Sequence, residues 1–390
     1  MTSRTTTHRQ GIAVLADDLT SAGDGAAPFR RGGCPARIVL SAASEAAPVA
    51  GVTGVTAVDL GTRLLDEEAA AARAGRAARR FAGSPVLLKT VDSTLRGHVG
   101  AEVRAAWAGS GRRAVVLAPA FPAEGRLTLD AVQYVGGVPV HESAYADDPA
   151  HPVRCGDLRL LFPGAVHVAP ERVEGLPGLI GGGGLFVCSA ATDADLDRLV
   201  AAVPHPEEVL WVGSPGLAQA LARRFPGGAP AAPRPAPARR PLVVAGSANP
   251  LTRLQLEVLH RRADAAGVVA GDDPGAAVAA LRALTTPVLT LRTPDDRRTP
   301  GRARALARTL ASVAGVLAAE GLVDALVVTG GETAATVLPA LGIEGLDLLD
   351  EPEPGVARAT PHGRPGFTVL IKAGGFGDEE TLVRLCRPGA

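Results

Sequence analysis

Lysine is nearly missing from this chain. Two lysines, Lys89 and Lys372, stand among 40 basic residues, and every other basic position is arginine. A retained lysine therefore points to a place that wants a compact, rotatable ammonium rather than a planar fork. Aromatic residues are scarce too, at 3%, and the formal net charge is +0. Few rings are available to stack on bases and no basic face is implied, so nucleic acid is not an expected partner. Cys34, Cys155, Cys188 and Cys386 stand apart without CxxC spacing and read as buried or incidental thiols. The eight histidines form no HxxxH or HExxH pattern, so zinc is not indicated. No apolar run reaches the length of a membrane span, and the first ten residues lack the apolar centre of a signal peptide. The expectation is a soluble, cytoplasmic protein with no membrane partner.

What is present is a long, apolar chain: 390 residues, 46% hydrophobic. That suffices for two domains with cores of Leu, Val and Ala. Short continuous apolar runs alternate with helical patterns, as buried parallel strands do when helices flank them. The expected fold is α/β, in two domains. Each is a mostly parallel sheet flanked by helices, with an interdomain cleft. A proline-rich linker at 226–240 separates a domain at 1–225 from one at 241–390.

Several strand ends carry chemistry, and open α/β sheets place ligands there. The run at 11–16 ends in Asp17-Asp18-Leu19-Thr20-Ser21-Ala22-Gly23-Asp24. Crowded carboxylates are costly unless something cationic or hydroxylated meets them; the alternative is that Asp17 or Asp18 only caps the next helix. Asp59, Thr62 and Arg63 follow the run at 54–60. The run at 85–88 empties into Lys89-Thr90-Val91-Asp92-Ser93-Thr94-Leu95-Arg96-Gly97. A stiff loop with Arg126 follows the strand at 114–118, and 128–141 reads as a hairpin. Residues 144–184 give little signal and read as loop. In the second domain, glycine turns close strands at Gly246-Ser247, at Gly330-Gly331-Glu332-Thr333 and at Lys372-Ala373-Gly374. Turns of this kind leading into helices expose backbone N–H groups to anions. Gly330-Gly331 also reads as a plain turn, and no GxxxxGK[ST] loop occurs.

Six stretches together resemble the four-carbon acid sugar kinase family: ADDLTSAGD at 16–24, KTVDSTLRGHVGAE at 89–102, APAFPAEGRLT at 118–128, AGSANPLTRLQ at 245–255, TGGETAATVL at 329–338 and IKAGGFGDEETL at 371–382. The resemblance spans nearly the whole chain. It implies an ATP-dependent kinase acting on threonate, erythronate or 3-oxo-tetronate, with the acid sugar in the N-terminal domain and ATP in the C-terminal one. Carried over by position, Asp17, Asp18, Asp24, Arg63, Lys89, Asp92, Ser93, Arg96 and Arg126 form the substrate side. Ser247, Gly330, Gly331, Glu332, Thr333 and Gly374 form the nucleotide side.

A four-carbon acid asks for Arg on its carboxylate and Asp on its hydroxyls. Phosphoryl transfer asks for cations where charge spreads, here Mg²⁺ on ATP with Lys89 or Lys372 in support. An Asp must accept the hydroxyl proton; Asp18 is the first candidate and Asp92 the second. Two alternatives stay open: a sugar-acid-binding protein without turnover, and an NAD-dependent dehydrogenase. The second is disfavoured because ADDLTSAGD, not GxGxxG, follows the first strand. The oligomeric state is open, a homo-oligomer included.

Overall fold

A computed structural model describes residues 11–41, 54–148, 151–228, 237–246, 249–295 and 299–387. The chain divides into two compact units. One takes Met1–Asp17, Pro28–Ala36 and Glu45–Pro230; the other takes Asp18–Ala27, Arg37–Ser44 and Ala231–Ala390. Two short N-terminal segments thus group with the C-terminal half, so the division is not a single cut in the proline-rich stretch. Of that stretch, residues 229–236 lie outside the described residues.

In the first unit, parallel strands run in the order Gly54–Asp59, Gly11–Ala16, Val86–Thr90, Val209–Gly213, Ala114–Ala118, Gly184–Cys188, Val166–Val168. Four of these strands are buried along their whole length, which is why they read as unbroken apolar runs and not as alternation. The poorly patterned stretch 144–184 holds the strand Val166–Val168 and the helices Leu158–Leu161 and Leu176–Gly181. Elements this short complete too little of any period to be read. The expected hairpin is a three-stranded antiparallel sheet, Arg126–Leu129, Val132–Val135 and Val138–Pro139. Gly136 and Gly137, at φ 58 and 84, make its second turn.

The helices start where their caps say. Asp66 accepts from Ala69 N at 2.8 Å ahead of the helix Glu67–Arg80. Thr192 and Asp195 cap Asp193–Ala201 reciprocally. The helix Glu67–Arg80 buries Ala70, Ala74 and Ala78, one row at i, i+4 spacing. It lies close against the helix Val99–Ser110: a Cβ on Gly109 would stand 2.2 Å from the Gly75 carbonyl oxygen. In a chain poor in aromatics, close backbone approach takes the place of large side chains.

In the second unit, parallel strands run in the order Ala265–Val269, Val288–Arg292, Pro241–Ala245, Ala325–Thr329, Thr368–Lys372. Two antiparallel strands extend this sheet, Val356–Pro361 and then Gly345–Glu353; the sequence reading did not foresee them. Pro241–Ala245 connects toward one edge and Ala325–Thr329 lies on its other side. The strand order therefore reverses between these two strands, and open α/β sheets take ligands at the carboxyl ends beside such a reversal. Among the described residues, no helix is long and apolar enough to cross a membrane.

The helix contact gives a stability test. Gly109→Ala gains about 1 kcal/mol of helix propensity but drives a methyl into backbone that cannot turn away, at a cost of about 1–3 kcal/mol. A thermal melt should show a Tm lowered by several degrees with Michaelis constants unchanged. An unchanged or raised Tm would mean the helices separate freely.

Candidate active site

The first unit gathers charged side chains from the turns after three adjacent strands. Arg63 donates Nε and Nη2 to Asp17 Oδ2 at 2.9 and 2.7 Å. Its Nη2 also stands 3.6 Å from Asp92 Oδ2. Arg96 donates Nε and Nη2 to the same Asp92 oxygen at 3.0 and 2.6 Å. Asp92 Oδ1 accepts from Thr94 N and Oγ1 at 2.7 and 2.5 Å. The loop reaches this shape through Leu95 at φ 61 and Gly97 at φ 89. Left-handed backbone at a leucine is costly, and the buried Leu95 side chain in the hydrophobic core offsets it. Asp17 Oδ2 would lie 3.6 Å from a Cβ on Gly97, so the loop packs directly on the Asp17–Arg63 pair.

Lys89 lies below this layer. It is 1% exposed, with Nζ 3.0 Å from Oε2 of the equally buried Glu102 and donating to the Thr90 carbonyl at 2.6 Å. Burial pushes the Asp17 carboxyl upward, but the Arg63 guanidinium and the Lys89 ammonium outweigh it and hold the group below its ordinary value. Burial acts on Asp92 in the same sense; Arg63, Arg96 and the Thr94 hydrogen bonds bring it down to about 2. Asp17 Oδ1 is buried and meets no hydrogen-bond donor among the described residues. A buried carboxylate oxygen in this state is an acceptor in want of a donor.

Further residues close around the cluster that the sequence reading did not single out. The Tyr145 ring lies 5.3 Å from the Arg96 guanidinium carbon, and Asp148 Oδ2 stands 3.6 Å from Arg96 Nη1. His151 Nε2 bonds to the Arg63 carbonyl at 2.6 Å and His98 Nε2 to the Leu65 carbonyl at 2.7 Å; the two rings meet edge to face at 5.5 Å. Buried Gln133 donates to the Ser93 carbonyl at 2.8 Å, pinning the three-stranded sheet to the site loop. Apart from His98, which lies in the 89–102 stretch, these side chains come from residues 132–151, whose sequence carries no motif. Arg126, at the start of that sheet, donates Nη1 to the Glu124 carbonyl at 2.8 Å. Ser93 is half-buried on its loop, and Asp24 half-buried on the helix Leu19–Arg31.

In the second unit, Gly330 at φ 93 caps the helix Gly331–Ala340, and its N–H donates to the Lys372 carbonyl at 2.8 Å. Glu332 is exposed in the first turn and Thr333 is buried. A Cβ on Gly246 would meet Thr333 Oγ1 at 2.3 Å, so this turn closes directly on the helix start. Asp18 belongs to this unit. Its Oδ1 accepts from Ser21 N at 2.7 Å and from Thr20 Oγ1 at 2.8 Å, capping the helix that follows. Its Oδ2 lies 3.2 Å from where a Gly331 side chain would begin. Lys372 Nζ donates to the Ala373 and Gly374 carbonyls at 2.8 and 3.4 Å. Burial lowers this ammonium to about 8, with Glu353 pulling the other way. Thr252 Oγ1 bonds to the Gly374 carbonyl at 3.0 Å, and Gln255 Nε2 to those of Phe376 and Asp378 at 3.2 and 2.7 Å. Glu353 accepts from Thr381 and from Arg384; it sits on the antiparallel hairpin absent from the sequence reading.

The structure thus brings Asp17, Arg63, Lys89, Asp92 and Arg96 together in one unit. It brings Asp18, Gly330, Gly331, Glu332 and Thr333 together in the other, with Lys372 and Gly374 on the next strand. Ser247 lies outside the described residues.

Comparison with known proteins also gives two domains, with Asp18 falling in the first of them. Residues 12–221 match the model of a sugar-binding N-terminal domain, and residues 242–382 that of a nucleotide-binding C-terminal domain. A Bordetella bronchiseptica protein named D-threonate kinase is 35% identical, covering 96% of this chain and 96% of its own length. A Methylobacterium radiotolerans protein named 3-oxo-tetronate kinase is 30% identical, over 96% of this chain and 98% of its own. A crystal structure from Bordetella bronchiseptica, described as a domain of unknown function with bound citrate and a domain-swapped dimer, is 33% identical. It aligns with a TM-score of 0.51 over 97% of both chains. The resemblance carried by the six motif stretches holds along the whole length, and the chain belongs to the four-carbon acid sugar kinase family.

Proposed function

We propose that the chain is an ATP-dependent kinase that phosphorylates a hydroxyl of a four-carbon acid sugar, with D-threonate the first candidate ahead of erythronate and 3-oxo-tetronate. The observation that carries this reading is the full-length match to a D-threonate kinase at 35%, against 30% for a 3-oxo-tetronate kinase. The citrate on a 33% identical chain supports a small hydroxylated acid as ligand. The site chemistry agrees. Asp17 Oδ1 is a buried acceptor that a sugar hydroxyl would satisfy. Arg63 and Arg96 each turn Nε and Nη2 toward an aspartate. Their first task is therefore to orient the carboxylates that read hydroxyls. A substrate carboxylate is assigned to Arg63, Arg96 and Arg126, and Asp24 and Ser93 complete the substrate side.

The general base is assigned to Asp18. Asp92, held down to about 2 and bonded through both oxygens, is too weak a base to take a hydroxyl proton and serves to position. Asp18 commits Oδ1 to its helix and holds Oδ2 against the Gly330-Gly331 turn, beside the N–H groups that would cradle phosphate. Glu332, Thr333, Gly374 and Lys372 complete the nucleotide side, Lys372 with a compact ammonium for the phosphates. Ser247 belongs to the same assignment by its place in the turn after Pro241–Ala245. Magnesium on the triphosphate would neutralise charge on the transferred group. It needs few protein ligands because the phosphates and water supply the rest, and Asp18 and Glu332 are the carboxylates at this turn.

Release of ADP on addition of D-threonate, with smaller or no release for the other tetronates, is the direct test. Binding without ADP release would make the chain a sensor of the same ligand. Asp18→Asn keeps the helix cap and should lower kcat by about 10²–10⁴-fold with the Tm unchanged; near-normal turnover sinks the assignment of the base. A pH profile tests Lys372. Its ammonium is present below about 8 and lost above, so kcat/KM for ATP should fall as pH rises through that value. Lys372→Arg should remove this limb. A limb unchanged in that variant would assign it to another group.

A further inference from the structure

The buried lysine of the first unit is paired with a carboxylate that has no place in the reaction described so far. Glu102 sits in the first turn of the helix Val99–Ser110, 2% exposed, with Oε2 3.0 Å from Lys89 Nζ. A buried ion pair is seldom a net gain in stability over well-packed apolar residues. Two fully buried charges under a ligand site therefore call for another reason.

We propose that Glu102 is a positioning residue of the sugar-acid site. It holds Lys89 as a fixed cation beneath Asp17, so that Asp17 Oδ1 presents a full negative charge to a substrate hydroxyl. This rests on the reading of the first unit as the sugar-acid site. Strand register and contact join these charges: Glu102 Oε2 stands 3.0 Å from Lys89 Nζ, Lys89 pairs with Leu15, two residues before Asp17 on the adjacent parallel strand, and Arg63 bonds Asp17 Oδ2. Other charged groups face Asp17 as well. Asp92 opposes its ionisation from the loop after Val86–Thr90, with Arg96 bound to it. Asp59, at the end of the neighbouring strand, accepts from Gly61 N at 2.8 Å. Arg63 is thus shared between two carboxylates, Asp17 at 2.7 Å and Asp92 at 3.6 Å, while of these two Arg96 serves only Asp92. Lys89 supplies a second cation for Asp17, and Glu102 is the carboxylate that fixes it in place.

The test compares wild type, Glu102→Gln and the double variant Lys89→Met with Glu102→Gln. The double variant leaves no lone buried charge and guards against a single variant that fails to fold. Both changes should raise the KM for D-threonate about tenfold or more, the worth of a charge-assisted hydrogen bond, and leave the KM for ATP unmoved. Losing the cation raises the Asp17 carboxyl, so the acid limb of kcat/KM for the acid should move to higher pH. Glu102→Asp should restore part of both effects. A ¹³C-carboxyl titration of labelled aspartate, with Asp17→Asn to assign the resonance, reads the same shift without substrate. If wild type binds no tetronate, the reading of the site is wrong, while the carboxyl titration still decides this inference. If the Asp17 titration is the same in folded wild type and double variant, the inference is overturned. A Tm change with no shift in that titration would make the pair a packing element only, and would overturn it equally.

Discussion

Charge buried without water has to be balanced within a few ångströms, and the first unit is organised around that constraint. Asp17 and Asp92 lie almost wholly inside the protein. Left alone, burial would protonate both, and a protonated carboxyl is a poor acceptor for a hydroxyl. Arg63 and Arg96 on one side and Lys89 on the other keep them ionised. The cost of ordering so many charges explains why the site loop is tied down. Thr94, Gly97, Gln133 and the buried Leu95 each fix one point of it.

The second unit solves a different problem, bringing backbone close to backbone. Gly246 has no room for a side chain because Thr333 stands there, and Gly377 has none because of Thr381. Gly330 adopts a backbone angle that favours glycine and is bonded to the strand bearing Lys372. The last glycine loop has few side chains of its own to hold it. Thr252 and Gln255 reach in from the helix Pro250–Arg262 and bond to its carbonyls instead. Glu353 and Arg384 brace its far end. A loop that is mostly glycine is thus held from outside.

The two lysines fit these two schemes differently. Both end parallel strands and both are buried. Lys89 has a carboxylate partner at contact distance and serves as internal charge. Lys372 is bonded to carbonyls of its own loop and sits low in its titration range. Burial, opposed by Glu353, is the cause. Their scarcity marks both positions, but not the difference between them.

Much of this was legible in the amino-acid sequence. Unbroken apolar runs are legible because strands buried on both faces need no polar residue. Strand-end motifs are legible because Lys, Asp, Arg and Gly in such density are expensive without a ligand. What lay beyond the sequence depends on contacts between distant residues. Glu102 is one ordinary acid on a helix until the fold sets it against Lys89. Tyr145, Asp148 and His151 belong to a patternless stretch that gains meaning only by touching Arg63 and Arg96. The hairpin carrying Glu353 has a mixed pattern because it pairs antiparallel beside a parallel sheet. The sequence by itself determined the α/β class, the order of the longer parallel strands with their helices, and which strand ends carry the motifs, since each follows from local composition. Only the tertiary structure decided which carboxylate is spent on an arginine, which lysine is sealed, and which oxygen is left to accept, because those depend on distances of a few ångströms between segments far apart in the chain.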